Sequence, residues 1–544
     1  GFFVQEADEQ ADDDPATSEG LFVFAPKNGK VAVGERLRIT GTVSEHHQRT
    51  ELTRIRRLVR CGRAPLPSPG RLSLGAAELG ELERWEGMLV EVGDPLTLTD
   101  TRDLGRYHQL ALASERLYQP TQQQLPGRAA LLADSRRPLL FLADGSRQQH
   151  PAVIGYPPPA LTAERSVRAG DRVFKLRGVI DQFNGAYLLH PTAPVQFEAA
   201  NPRPPQPPPV PAGHLRVAAF NLQNYFNGDG RGGGFPTARG ATSRYEFQRQ
   251  RQKIVSAALG LGADILGVME LENDGYGSNG AIVDLSRAIG AASGVRHAFI
   301  DPGLARLGED AITVGLLYRP DRVRPVGAPA ILHSGNDARF AARNRPALAQ
   351  TFEQLANGER LTVVATHLKS KGSACTGDPD RRDGQGRCNL TRTRAAQALA
   401  DWLATDPTAN GDPDVLLIGD LNAYAQEDPL RALTARGYHD LIGRYLGEPA
   451  YTFVFNGRAG YLDHALASPS LARQVAAVRI WHINADEPAV LDYSTAHKSR
   501  RQIETLFDPG PYRSSDHDPV IVDLALGAKL PLCGSRTAPA SACQ

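Results

Sequence analysis

Ser514-Ser515-Asp516-His517-Asp518-Pro519-Val520, near the end of the chain, sets a carboxylate and an imidazole side by side just ahead of the apolar run Val520-Ile521-Val522. That run reads as a buried strand, which places Asp516 and His517 at its mouth. Histidine has the unperturbed pKa nearest neutrality, so His517 suits general-base work, and the adjacent carboxylate suits a metal ion or the steering of the ring. Taken alone, the stretch reads equally as a capped turn bearing two polar surface residues. Its meaning depends on partners elsewhere in the chain.

Working outward, the same pattern recurs between residues 215 and 525. The apolar run Leu215–Phe220 ends in Asn221, Ile265–Met269 ends in Glu270, Leu361–Thr366 ends in His367, and Val415–Gly419 ends in Asp420 with Asn422 two residues on. Asp463 opens the run Asp463–Leu466, and Ile312–Tyr318 is a further strand. Helical periodicity at 244–260, 280–293 and 391–404 alternates with these strands, which predicts a mixed α/β sandwich. Each polar residue singly suits a turn or cap. Together, at strand ends that can share one rim of a sheet, they have the types that hold metal and phosphate.

Ahead of this region the pattern differs. Residues 1–60 carry short strand-like runs at 1–4, 21–24, 31–34 and 37–43, and a second set runs from Trp85 to Phe197, including 173–180. Gly34-Glu35-Arg36-Leu37 is echoed by Gly170-Asp171-Arg172-Val173. The spacing predicts small all-β barrels, OB-like in type. No stripe of aromatic and basic residues stands out, so spacer and substrate-presenting roles stand beside single-strand binding. Residues 201–213 are proline-rich and predict an extended, stiff linker. The expected organisation is an OB-like domain at 1–60, a second at 61–200, the linker at 201–213, a catalytic domain at 214–528 and a tail at 529–544.

The chain has 544 residues, 41% hydrophobic and 22% charged, with a formal net charge of +1. That length calls for about two to four domains, and the balance is that of a globular protein. The net charge excludes polycation behaviour of the whole chain but leaves a local basic groove open. No run approaches the roughly 20 apolar residues of a membrane span. Of the five cysteines, Cys375 and Cys388 bracket one polar loop, Cys533 and Cys543 another, and Cys61 is left over. Two local pairs predict loop-closing disulfides and an oxidising compartment; no Cys-x-x-Cys or nearby histidine pair supports zinc. The start at Gly1, inside a strand-like run, leads us to expect missing upstream sequence, a signal peptide included.

The motifs Asn221-Leu222-Gln223-Asn224-Tyr225-Phe226, Met269-Glu270-Leu271-Glu272-Asn273, Thr366-His367, Gly419-Asp420-Leu421-Asn422-Ala423, Tyr461-Leu462-Asp463-His464 and Ser515-Asp516-His517-Asp518-Pro519 resemble, in order and type, those of the endonuclease/exonuclease/phosphatase superfamily. The flanks Lys369–Cys375 and Asp383–Asn389, and the β regions ahead of them, resemble the ExeM/NucH-like bacterial extracellular endonucleases. The resemblance implies an α+β multidomain chain whose catalytic part is a four-layer, DNase I-like sandwich. It further implies Glu270 and Asp516 as ligands of Mg²⁺ (or Mn²⁺ or Ca²⁺), His517 as the general base and Asp463 as its orienting partner. Asp420 and Asn422 would position water and phosphate, Asn221 would bind phosphate or metal, His367 would contact the phosphate or assist the leaving group, and Arg345 would contact phosphate. Asp310 is the expected partner of His367.

The implied function is a secreted, monomeric, metal-dependent nuclease acting on DNA, with RNA as a second substrate, free or anchored to a cell surface by segments outside this chain. A phosphatase or phosphodiesterase of another ester on the same fold is the enzyme alternative. A nucleic-acid- or matrix-binding protein without catalysis is the alternative of another class.

Overall fold

In the computed structural model, residues 1–530 are described apart from 13, 28–29, 76–78, 136–137, 147 and 342. Cys533 and Cys543 lie outside the described residues. Two six-stranded sheets form the C-terminal part. The first runs in the order Ala298–Phe299, Ile312–Tyr318, Ile265–Glu272, Leu215–Tyr225, Val520–Leu524, Val475–Ile480. The second runs Val323–Leu332, Arg345–Gln354, Arg360–His367, Val415–Asp420, Asp463–Ala467, His439–Asp440.

Each sheet has one parallel pair at its centre, Leu215–Tyr225 with Ile265–Glu272 and Arg360–His367 with Val415–Asp420, and every other pairing is antiparallel. A parallel pair needs a crossover. Helices Arg244–Leu261 and Asn389–Leu403 supply the two crossovers.

Strand alternation explains the layers. Leu215, Val217 and Ala219 point between the sheets and pack with Val363, Ala365, Leu416 and Ile418. Ala218 and Phe220, one residue out of step, face the helical layer at Phe247, Ile254 and Ala257. Strands buried on both faces read as continuous apolar runs, which makes them legible in sequence. Helix Arg244–Leu261 starts where the Ser243 side chain accepts from the Glu246 backbone N–H, and stops at Gly262, whose φ of 59° suits glycine.

The N-terminal part is sheet-rich, with a four-stranded sheet and a nine-stranded one that receives strands from Gly70–Leu72 through Gln196–Glu198. Short helices interrupt it at Leu104–Tyr107, Pro120–Gln123 and Arg128–Ser135. Two expected strands differ. Residues 31–34 form a turn, because the Glu35 carboxylate accepts from the Ala32 N–H and the Glu35 N–H donates back to the Ala32 carbonyl. The run 173–180 breaks at Lys175, whose φ of 55° ends one strand before Arg177–Phe183 begins. The strand Arg49–Arg63 runs through the boundary expected at residue 60.

The proline-rich segment is extended but docked. Trp481 Nε1 donates to the Pro205 carbonyl (2.9 Å), the Tyr512 hydroxyl to Pro204 (3.0 Å) and Arg216 Nη2 to Pro208 (2.9 Å). Buried Asp486 and Glu487 draw arginines from the N-terminal part and the linker. Arg116 meets Asp486 at 2.9 Å, Arg203 meets Glu487 at 2.8 Å, and Arg168 pairs with Glu487. Burial opposes the Asp486 charge, yet Arg116 and Arg168 outweigh it and hold the carboxyl below the ordinary range. Strand Leu117–Tyr118 adds in parallel to Arg458–Gly460, which pairs with Phe453–Phe455. The N-terminal part is thus built into the wall of the C-terminal sandwich.

Inside that sandwich, Arg216 is buried and makes a two-pronged pair with Asp523 at 2.7 and 3.0 Å, joining two neighbouring strands of the first sheet. Arg479 also reaches Asp523 Oδ2, at 2.6 Å, so Arg216→Ala removes the two-pronged pair but leaves the carboxylate one arginine. The substitution is expected to lower the unfolding free energy by about 3 kcal/mol, the lower end for a broken buried pair, read from urea denaturation.

Candidate active site

Register builds the site. Arg345 lies opposite His367, His367 opposite Asp420, and Asp420 opposite Asp463, so consecutive strands of the second sheet present these side chains in one row. Gly419 makes the close pairing possible: a Cβ there would lie 2.0 Å from the Thr366 carbonyl oxygen. The first sheet supplies Asn221, whose Nδ2 is 3.4 Å from Asp420 Oδ2, and the loop entering Val520–Leu524 supplies His517. The row therefore sits where the rims of the two sheets meet.

His517 Nδ1 and Asp463 Oδ2 are 2.7 Å apart, with both residues buried. The Thr452 hydroxyl donates to the same oxygen at 2.7 Å, and Phe453 stacks on the imidazole at 4.6 Å between centroids. Burial works against a charge on His517, but Asp463, its hydrogen bond, Asp516 and Asp420 outweigh it and raise the pKa well above the ordinary value. Asp420, Asp463 and His517 each offer a ligand atom within 4.8 Å of the others.

His367 behaves oppositely. Burial, Arg345 and His517 push its pKa well down, so the ring is neutral. Its Nε2 lies 3.4 Å from Asp420 Oδ2, and its buried Nδ1 has no hydrogen-bond partner among the described residues. The expected partner Asp310 goes instead to Arg345 (3.1 Å) and Arg239 (3.1 Å). Asp310 sits before the Ile312 strand of the first sheet, and the arginine fork outcompetes a neutral ring for its charge.

Asp420 is raised by burial and by Asp463 and Glu270, against the pull of His517. Asn422 is oriented by its own N–H to Asp420 Oδ1 (2.8 Å) and its Nδ2 to the Leu368 carbonyl (3.2 Å). Arg345, nearly buried, also donates to Leu368 at 3.0 Å.

Glu270 has a φ of 59°, and the strand pairing shifts register around it. A left-handed glutamate at a bulge costs strain and re-aims its side chain. Burial and the neighbouring Asp516 raise its pKa, while His517, Arg345 and a hydrogen bond from Asn221 oppose the rise. Asp516 is half-buried, and the Ser515 hydroxyl approaches it at 3.5 Å.

These oxygen donors suit a divalent cation. Glu270 and Asp516 repel each other, and among the described residues the buried Asp463 Oδ1 has no hydrogen bond. Cys375 and Cys388 form a disulfide, and Cys61 is free and exposed.

Sequence reasoning passed over three supports. Thr452 fixes Asp463. Asn484 clamps the 514–517 loop, accepting from the Ser514 and Ser515 N–H groups and donating to the His517 carbonyl. Ser515 donates to the Asn221 carbonyl at 2.7 Å and so ties the loop to the first strand. A threonine beside an aromatic and a lone asparagine in an irregular segment carry no signal by themselves. Asp518 is a structural residue of this loop: it accepts from the Asn484 and Ala485 N–H groups and faces His482 Nδ1 at 2.9 Å.

A two-sheet sandwich with a histidine–carboxylate pair and acidic donors at its shared rim defines a phosphate-ester hydrolase of the DNase I-like fold. Residues 218–517 match the Endonuclease/Exonuclease/phosphatase family, and the chain belongs to it. Enzymes of this family are hydrolases and generally use divalent metals. A search of curated proteins finds no match.

Among solved structures, the chain is similar to an endonuclease/exonuclease/phosphatase from Bacteroides vulgatus, at 15% identity, 57% coverage of this chain and 99% of that one, with a TM-score of 0.36. It is similar to the human Nocturnin catalytic domain with bound sulfate, at 16% identity, 58% and 96% coverage and a TM-score of 0.34. It is also similar to a Bacteroides thetaiotaomicron mannosyl-6-phosphatase, at 16% identity, 57% and 98% coverage and a TM-score of 0.35.

The Asp463 charge is a main cause of the raised His517 pKa. In Asp463→Asn that pKa is expected to fall toward or below the ordinary histidine value in an NMR titration of the ring, and hydrolysis to drop about 10²–10⁴-fold. An unchanged His517 titration would exclude the pairing as its cause.

Proposed function

We propose that this chain is a metal-dependent endonuclease that hydrolyses phosphodiester bonds of DNA with little sequence preference, with RNA as a second substrate. The observation that carries the reading is the row Arg345, His367, Asp420 and Asp463, closed by the 2.7 Å contact of Asp463 with His517. Phosphodiester hydrolysis needs a deprotonated water, charge offset on the phosphate and a fixed in-line geometry.

His517 takes the proton of the attacking water, and Asp463, held by Thr452, stabilises the imidazolium that forms. Asn221 and Asn422, with Asp420 between them, orient water and phosphate. Arg345 adds positive charge, and neutral His367 offers a donor to a phosphate or leaving oxygen without adding charge. Glu270 and Asp516 would hold Mg²⁺, or Mn²⁺ or Ca²⁺, which when bound offsets the charge of phosphate and eases loss of the leaving oxygen. Burial opposes the charge on His517, and Asp463, Asp516 and Asp420 raise its pKa; a cation held at Asp516 would offset part of that pull and favour the base form of the ring.

The finer reading is an ExeM/NucH-like extracellular enzyme, exported and monomeric. Its domains would be OB-like at 1–60 and 61–200, a linker at 201–213, the catalytic domain at 214–528 and a tail at 529–544. The Cys375–Cys388 disulfide supports export, since such bonds persist in oxidising compartments.

Digestion of supercoiled plasmid tests the activity. With Mg²⁺ the chain is expected to nick and then linearise the plasmid, EDTA to stop it, and His517→Ala to slow it at least about 10²-fold. Undiminished cutting by His517→Ala would overturn the base. No cutting of DNA or RNA with Mg²⁺, Mn²⁺ or Ca²⁺ would overturn the nuclease reading.

A further inference from the structure

The N-terminal four-stranded sheet contains a long antiparallel ribbon, Glu35–His46 with Arg49–Arg63. Strand Gly20–Val23 pairs with this ribbon only at Glu51 and Leu52, near its turn. Among the described residues, the far half, residues 35–40 with 56–63, is paired only with itself. At about 3.4 Å per residue, residues 56–63 extend roughly 25 Å.

That half carries Arg36, Arg38, Arg56, Arg57 and Arg63, all exposed, and Arg54 precedes it. Among the described residues none of these has a carboxylate within ion-pair distance. Glu35 is taken by Arg60 at 3.4 Å, and Glu51 by buried Arg49 at 3.0 Å. Glu45, near the turn, accepts from the Thr50 hydroxyl.

Residues directly opposite share a face. Arg38 lies opposite Val59, and Arg57 opposite Thr40, which sets Arg38 and Arg57 on one face. Arg60 lies opposite Leu37, which sets Arg56 and Arg60 on the other. The chain as a whole is nearly neutral at +1, so this uncompensated charge is local. Unpaired like charges on a narrow ribbon repel one another, and a polyanion relieves that repulsion. A two-stranded ribbon is also the shape that the major groove of duplex DNA admits, with cations on both faces reaching the phosphates on either side.

We propose that this ribbon is a second nucleic-acid-binding element, an arm that holds duplex DNA by its phosphates apart from the catalytic rim. The choice of DNA rests on the function proposed above; the binding surface does not. The arm reads charge and groove shape, which adds affinity without sequence preference.

The test is fluorescence anisotropy of a labelled 30-base-pair duplex with the full chain in EDTA, across a salt series. The combined variant Arg36→Gln, Arg38→Gln, Arg56→Gln and Arg57→Gln is expected to bind at least tenfold more weakly. Its salt slope should be shallower by up to about 3.6, at roughly 0.9 for each of the four phosphates no longer neutralised. The matching set of Arg→Lys substitutions should keep the slope of the parent, and hydrolysis of bis(p-nitrophenyl) phosphate should be unchanged in both.

Unchanged affinity and slope in the Gln variant would overturn the arm, as would an equal drop in the Lys variant. Loss of binding to phosphatidylserine vesicles with DNA binding intact would overturn it in favour of a membrane surface. Arm-dependent DNA binding in a chain that cuts no nucleic acid would leave the arm standing and remove the nuclease reading.

Discussion

Several carboxylates and two imidazoles are buried where two sheet rims meet, and the rest of the molecule serves to make that burial tolerable. Burial first, and then the neighbouring carboxylates, raise the pKa of Asp420 and Glu270. The offsetting charge comes from His517, held by Asp463, and from Arg345. One imidazole is driven toward the charged form and the other toward the neutral form by neighbours a few ångströms apart. Environments that push paired groups in opposite directions divide acid, base and donor roles within one pocket.

The architecture supplies this juxtaposition through register. The two sheets share one pattern, a central parallel pair flanked by antiparallel strands, and their rims lie together across a common apolar core. In the second sheet a single row of opposed residues becomes the wall of the site. A one-residue slip would turn each of these side chains to the other face, so the core packing that fixes the register also fixes the chemistry. A bulge at Glu270 and the turn after Asp420 then make the finer adjustment, with Glu270 and Asn422 held at left-handed φ values of 59° and 48°.

The N-terminal part takes a share in the same wall. Leu117–Tyr118 lies beside the hairpin whose other strand begins with Phe453, the ring stacked on His517. Asp486 and Glu487, on the segment that also carries Asn484, take their counter-charges from Arg116, Arg168 and Arg203. The docked proline-rich segment and these buried pairs join the two parts, so the N-terminal region braces the loop that presents His517. The function of a linker follows from what it packs against as much as from its stiffness.

From the sequence by itself follow the strands and helices of the sandwich and the polar residues that end them. Those signals are local: apolar runs of strand length and helical period. The motif order pointed to the family for the same reason, since each motif is a short contiguous stretch. The resemblance implied the pairing of His517 with Asp463; tertiary structure alone decided the loss of Asp310 to Arg345, the supporting roles of Thr452 and Asn484, and the break at Lys175. All of these depend on strand register, bulges and competition for charge between segments far apart in the chain. Such interactions have no period and no spacing along the sequence, and they exist only once the two sheets have closed on their common core.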